Sequence, residues 1–237
     1  MKTIVYQADS RGKADHGWLN ARHTFSFANY YNPERMHFGA LRVFNDDIVQ
    51  GGMGFGKHPH DNMEIVTIIL DGKLRHKDST GYEATIKPGE VQFMSAGTGV
   101  YHSEMNDSAT EPVNLLQTWV FPKEKNITPR YGQKQFDFEK QANSLVAVVS
   151  PGGENGALVL NQDAWYHVGY FNQSTELTYR MHRPDTGVFV FVIEGYAEVA
   201  GQKLSKRDAI GVYETDEVPV LVNSDTKLLT IEVPMSF

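Results

Sequence analysis

The chain has 237 residues, with 22 Lys and Arg against 29 Asp and Glu, a formal net charge of −7 and no Cys. An acidic chain without a basic run does not read as a general binder of nucleic-acid backbones, and the lack of Cys excludes disulfides, thiolate metal sites and cysteine nucleophiles together. With 41% hydrophobic and 22% charged residues, the composition is globular and the length suits one large domain or two small ones.

From the N-terminus, Met1-Lys-Thr-Ile-Val-Tyr-Gln-Ala-Asp9 turns polar within a few residues and lacks the apolar stretch of a signal peptide. No apolar run approaches the roughly 20 residues of a bilayer span. A soluble, cytoplasmic protein that uses no membrane is expected. Short apolar or alternating segments then recur between Gly, Pro, Asn and Asp. They are Ala40–Phe44, Glu64–Leu70, Val91–Met94, Leu115–Phe121, Leu145–Val149, Val188–Ile193, Ile210–Tyr213 and Leu228–Val233. Their length and their Val, Ile, Phe and Tyr content are those of strands. No stretch sustains a 3.6-residue apolar period. The chain therefore reads as all-β, a sandwich or barrel.

The pattern is also duplicated. Glu64-Ile-Val-Thr-Ile-Ile-Leu-Asp-Gly72 resembles Gly187-Val-Phe-Val-Phe-Val-Ile-Glu-Gly195. The turn Lys87-Pro-Gly-Glu90 corresponds to Ser205-Lys-Arg-Asp208, and Leu115–Pro122 corresponds to Leu228–Pro234. Two barrels of similar build follow, with the linker in the polar stretch Lys123–Gln141. The expected domains are 1–135 and 136–237.

The densest chemistry lies in the first half. Gly52-Met-Gly-Phe-Gly-Lys-His58-Pro-His60-Asp-Asn-Met-Glu64 holds two histidines two apart, which an extended backbone points to one face. Glu64 keeps that parity. Pro59 cannot donate to a sheet ladder, which puts this strand at an edge. Gly97-Thr-Gly-Val-Tyr-His102-Ser-Glu104-Met-Asn106 adds a third imidazole and another carboxylate, again two apart. Three nitrogens and one oxygen suit Fe(II), Ni(II), Mn(II), Cu(II) or Zn(II). Gly51-Gly-Met-Gly-Phe-Gly56 looks superficially like a phosphate loop but lacks the Lys-Ser/Thr ending.

These stretches resemble the two motifs of the cupin barrel. Gly52, His58, His60, Glu64 and Gly72 fit the first, with one extra residue before Gly72. Gly99, His102 and Asn106 fit the second, with Gly97 in place of a Pro. The resemblance narrows to the pirin family, and within it to bacterial pirin-like quercetin 2,3-dioxygenases. It rests on His16-Gly-Trp-Leu-Asn-Ala-Arg-His-Thr-Phe-Ser-Phe-Ala-Asn-Tyr-Tyr-Asn-Pro33, Arg42-Val-Phe-Asn-Asp-Asp47, His58-Pro-His60, Met94-Ser-Ala-Gly-Thr-Gly99 and His102-Ser-Glu104.

The resemblance implies a bicupin of two tandem jelly-roll barrels. It implies one divalent metal, usually iron, on His58, His60, His102 and Glu104. The general cupin pattern would instead make Glu64 the carboxylate ligand. Under the pirin pattern Glu64 orients a histidine, and Glu104 or Glu64 serves as general base. The implied reaction opens the heterocycle of a flavonol such as quercetin with O2 and releases CO. The implied alternative is an iron-dependent redox sensor that binds a regulatory protein. A small aromatic or enol substrate, O2, no nucleic acid and a monomeric state complete the expectation.

Elsewhere the histidines read as packing or surface groups. His182 stands alone before Gly187–Gly195, His167 is isolated, and the counterpart of His102-Ser-Glu104 falls near Val220–Val222, which cannot ligate. The second barrel is thus expected to lack metal ligands. His37 and His76 are expected to be exposed. Phe55, Met94, Gln117 and Trp119 are possible cavity-lining residues or ordinary core.

Overall fold

A computed structural model describes residues 1–237. Each half of the chain closes a seven-stranded sheet with a four-stranded one, which makes the protein an all-β bicupin. In the first barrel the large sheet runs in the spatial order Arg130–Gln135, Glu90–Ser95, Glu64–Asp71, Val113–Val120, Leu41–Val49, Leu19–His23, Gly12–Asp15. The small sheet runs Gly54–His60, Val100–Asn106, Leu74–Asp78, Glu83–Ile86. The second barrel repeats the plan, its small sheet being Thr175–Arg180, Glu217–Val222, Tyr196–Val199, Gln202–Ser205.

The two large sheets pack back to back. A core of 27 buried residues runs between them, with Phe44, Val66 and Leu116 from one side and Phe189, Phe191 and Leu229 from the other. Phe44 meets Phe189 and Phe191 at ring-centroid distances of 5.0 and 4.7 Å. Each barrel keeps an interior of its own, around Val49, Ile69 and Leu115 in the first and Val190, Val212 and Leu228 in the second. A strand of a large sheet is therefore covered on both faces. In Glu64–Asp71, Ile65 and Ile69 pack inside the barrel while Val66 and Ile68 pack against the other domain. Two dry faces explain why these strands read as continuous apolar runs.

Two features depart from the sequence-based division. The stretch expected to be a linker contains the strand Arg130–Gln135, which pairs with Glu90–Ser95 at the edge of the first large sheet. The N-terminal strand Lys2–Tyr6, assigned by sequence to the first domain, pairs with Ala209–Tyr213 of the second. The chain begins in one barrel's sheet and then builds the other, so the cut at residue 135 does not separate the sheets. No helix is long and apolar enough to cross a membrane.

Candidate metal centre

The strand Gly54–His60 lies at the edge of the small sheet, as Pro59 requires, and pairs with Val100–Asn106. His58 stands directly opposite His102 in that ladder. Side chains directly opposite share a face, and His60 lies on it by the two-residue period. The three rings form a cluster with centroid separations of 4.4 to 4.9 Å. Their ligand atoms lie within 4.8 Å of one another.

The hydrogen bonds set the tautomers. His58 Nδ1 donates to the Gly56 carbonyl at 2.8 Å, leaving a lone pair on Nε2. That Nε2 faces His102 Nε2 at 2.9 Å. His102 Nδ1 has no partner, so a proton on His102 Nε2 can donate to that lone pair, and a bound cation would take the proton's place. The donor set therefore fits a first-row divalent ion. Burial pulls His60 down to about 4, with His102 and His58 adding repulsion. It pulls His102 down to about 3 in the same way, with His58 and His76 adding repulsion. Both imidazoles are neutral at physiological pH, the form that ligates.

Glu104 projects from the strand of His102, across a bulge between the two residues. Gln117 Nε2 donates to Glu104 Oε2 at 2.8 Å, and Trp119 Nε1 donates to Gln117 Oε1 at 3.1 Å. This chain of donors holds one oxygen and leaves Oε1 buried without a partner. The indole of Trp119 also meets His60 edge-on at 4.8 Å. Glu104 groups with His102 and His76 in a second cluster within 4.8 Å, so His102 is common to both clusters. Two of the suggested lining residues, Gln117 and Trp119, thus touch the site. Phe55 packs on Trp18 at 5.5 Å, and Met94 packs with Ile65 and Val100.

Glu64 is not at this site. Between His60 and Glu64 the chain turns through Asn62, at φ 45, and passes from the small sheet to the large one. The parity argument does not survive a change of sheet. The Glu64 side chain faces the second domain. Its Oε2 accepts from the Ser95 hydroxyl at 2.6 Å and from the Asn161 N–H at 3.1 Å. Burial raises its pKa, opposed by those hydrogen bonds. Glu64 therefore orients no histidine and cannot serve as the base here.

His76 was expected to be exposed and is fully buried. It stands opposite Glu104 in the ladder. Its Nε2 meets Asp78 Oδ2 at 3.0 Å, and Nδ1 has no partner. A signal for it existed: in Leu74-Arg-His-Lys-Asp78 the residues Leu74, His76 and Asp78 alternate with charges, which puts the histidine on the inner face. Asp47 was also missed. It lies inside the barrel, and burial pushes its carboxyl well above the usual carboxylate range, with Asp46 and Glu104 adding repulsion. His23, by contrast, is the packing residue expected, with Nδ1 at 2.9 Å from Asn45 Oδ1.

The second barrel differs from its description as holding isolated histidines. His182 lies between Trp165 and His167, its ring stacked on theirs at 4.6 and 5.6 Å. Its Nδ1 meets the buried Glu232 at 2.6 Å. Glu232 also accepts from Tyr179, Thr186 and the His182 N–H. Both its oxygens are used, and the cluster is a closed hydrogen-bond network.

Comparison with known proteins agrees with this architecture. The family model described as Pirin matches residues 5–120, and one described as Quercetinase C-terminal cupin domain matches residues 147–233. An Escherichia coli K12 protein named quercetin 2,3-dioxygenase is 41% identical over 228 residues, covering 96% of this chain and 97% of its own. The chain belongs to the pirin family. A pirin-like protein of Caulobacter vibrioides is 36% identical over 94% of this pirin and 96% of its own length. The crystal structure of YhhW from E. coli superposes with a TM-score of 0.94 at 39% identity, covering 98% of each chain. A structure of that bacterial pirin in complex with nickel(II) superposes at 0.93 with 38% identity, covering 98% of this chain and 99% of its own.

Proposed function

We propose that this pirin is a metal-dependent dioxygenase that opens the heterocyclic ring of a flavonol such as quercetin with O2 and releases CO. His58, His60, His102 and Glu104 would hold the metal, with Fe(II) as the working ion. The observation that carries the reading is the convergence of three imidazoles, two with Nε2 atoms 2.9 Å apart, beside a buried carboxylate with one free oxygen. Relatives named quercetin 2,3-dioxygenase, at 37–41% identity, support the choice of substrate class.

When bound, the ion supplies a positive charge that lowers the pKa of an enol hydroxyl brought to it. The protein supplies the rest. Glu104 Oε1, the free oxygen, would hold the metal in the resting site and would become the acceptor for the flavonol 3-hydroxyl proton only when released from the ion. Gln117, backed by Trp119, fixes the other oxygen so that this acceptor keeps its direction. Trp119 and His60 form an aromatic wall at the site. Low dielectric around His102 and Glu104 strengthens each of these interactions.

The deciding experiment is O2 uptake with quercetin by anaerobically purified protein reconstituted with Fe(II), with CO detection and a His58→Ala control. Metal-dependent uptake with CO release is expected. A fully loaded protein that consumes no O2 with quercetin would refute the substrate assignment.

A further inference from the structure

The two large sheets part along one side, and a cleft of about 1320 Å³ opens between the barrels. None of the four residues of the metal centre lines it. Part of its wall is apolar, with Ile68, Phe136, Val168 and Ile193 contributed by both domains. The other end is polar and carries Arg11, Lys13, Arg22 and Arg207 around Asp46.

The charges at this end do not balance. Asp46 is fully used: Arg11 donates to Oδ2 at 3.3 Å, and Arg207 donates to Oδ1 at 3.0 Å. Arg22 has only neutral acceptors, Asn20 Oδ1 and the Ala21 carbonyl. Lys13 stands directly opposite Arg22 in the strand pair Gly12–Asp15 with Leu19–His23. Like charges facing each other across a ladder are destabilising unless an anion lies between them. Lys13 is exposed, and the half-buried Arg22 stands opposite Asp46 in the ladder on its other side, but neither forms an ion pair, Asp46 being taken by Arg11 and Arg207. Glu194 pairs with Lys206 at 2.8 Å and stands 3.9 Å from Arg207. Asp9 is exposed on the lip. The Arg11 side chain is only 4% exposed. Burial pulls its guanidinium below the ordinary value, with Arg207 and Arg22 adding repulsion against the pull of Asp46. Partly buried positive charge in excess is costly without a counter-anion. At the other edge of the same large sheet Glu90 lines the cleft, with Asp137 and Glu139 just beyond Arg130–Gln135, and these repel a second negative group.

We propose that this interdomain cleft binds a small amphipathic monocarboxylate, its head group between Lys13, Arg22 and Arg207 and its apolar body along Ile68, Phe136 and Val168. Basic groups at one end and acidic groups at the other fix the direction of the ligand. A molecule seated there touches both barrels and stabilises their contact by mass action.

The test uses octanoate as the probe on metal-free, full-length protein, by calorimetry and thermal melting, with octanol as its neutral counterpart. Octanoate is expected to bind and raise the melting temperature, and octanol to bind at least about tenfold more weakly. Arg22→Met is expected to weaken octanoate at least about tenfold, Arg22→Lys to retain most of the binding, and His58→Ala to change nothing. Melting without ligand and circular dichroism confirm that each variant is folded. The proposal is overturned if octanoate fails to bind the wild-type protein, or if a folded Lys13→Met/Arg22→Met double variant binds it as tightly. Loss of binding in His58→Ala, or competition by inorganic phosphate as strong as by octanoate, would overturn it as well.

Discussion

The two acidic residues that fit the motifs, Glu64 and Glu104, sit in different places, and exchanging each for Gln separates their roles. Glu104→Gln keeps an oxygen for Gln117 to bond but removes the anionic donor from the histidine cluster. Losing a group that merely orients a ligand costs about 10–100-fold in metal affinity. Losing the carboxylate should cost at least that, about 1.4–2.8 kcal/mol or more. Glu64→Gln leaves the metal untouched, because its oxygens face Ser95 and Asn161 across the sheet. The amide oxygen retains both of those hydrogen bonds, and the amide nitrogen takes the place of an unpartnered oxygen. Glu64→Ala, by contrast, strands the Ser95 hydroxyl and the Asn161 N–H at about 1–3 kcal/mol each, so about 2–6 kcal/mol of stability should be lost.

The protonation of Glu64 adds a second signature. Burial raises its folded-state pKa above the ordinary 4.5. A carboxyl raised in the folded state contributes stability below its unfolded pKa and loses it as pH rises through the folded value. Wild-type stability should therefore fall relative to Glu64→Gln as pH rises from about 4.5 toward neutral. The assays are Ni(II) or Fe(II) titration against a competing chelator and denaturant unfolding at several pH values. Metal loss in Glu64→Gln together with full affinity in Glu104→Gln would refute the placement of both residues.

Other consequences follow from the same structure. Gln117→Leu removes the donor to Glu104 Oε2 and the acceptor of Trp119, and should weaken metal about 10–100-fold in a chelator competition while the fold persists. In the metal-free protein His60 and His102 are held down to about 4 and about 3. Groups with lowered folded pKa values contribute stability above their unfolded pKa of about 6.5 and lose it as pH falls. Metal-free protein should thus lose stability continuously below about pH 6.5, an effect that double replacement of His60 and His102 by Asn should flatten in pH-dependent melts. Phe189→Ala opens a cavity in the core shared by both barrels and should cost about 3–5 kcal/mol. Calorimetry should show one transition shifted as a whole, and two resolved transitions would mean that the barrels unfold independently.

How much could be read in the chain depends on how many faces of a strand are dry. Every apolar strand segment proposed from the sequence lies in one of the two large sheets. Those sheets are sandwiched between a barrel interior and the other domain, so both faces are apolar and the run is continuous, as in Val188–Ile193. The small sheets keep one wet face. Their strands, such as Leu74–Asp78 and Thr175–Arg180, alternate with charges and give a signal too weak to stand out. Spacing along one strand was equally reliable: His58 and His60 share a face, and Pro59 marks an edge strand. Parity failed only where the chain changed sheets, between His60 and Glu64.

Other features belong to the tertiary structure alone. Nothing local sends Lys2–Tyr6 into the second barrel's sheet, because strand pairing is chosen by which edge is free and which face is apolar once the barrels meet. Nothing local places His76 behind Glu104, or stacks His182 between Trp165 and His167, since these partners come from strands distant in sequence. The clustering of Arg11, Arg22 and Arg207 around Asp46 at one part of the interdomain cleft is likewise invisible in a chain whose net charge is −7. The sequence by itself determined the strands of the large sheets, their duplication and the shared face of His58 and His60, because these depend on residues close together along one strand. Only the packing of the sheets decided which carboxylate lies beside His102, which strand crosses from one barrel's sheet to the other and where charge accumulates, because these depend on which faces are brought together.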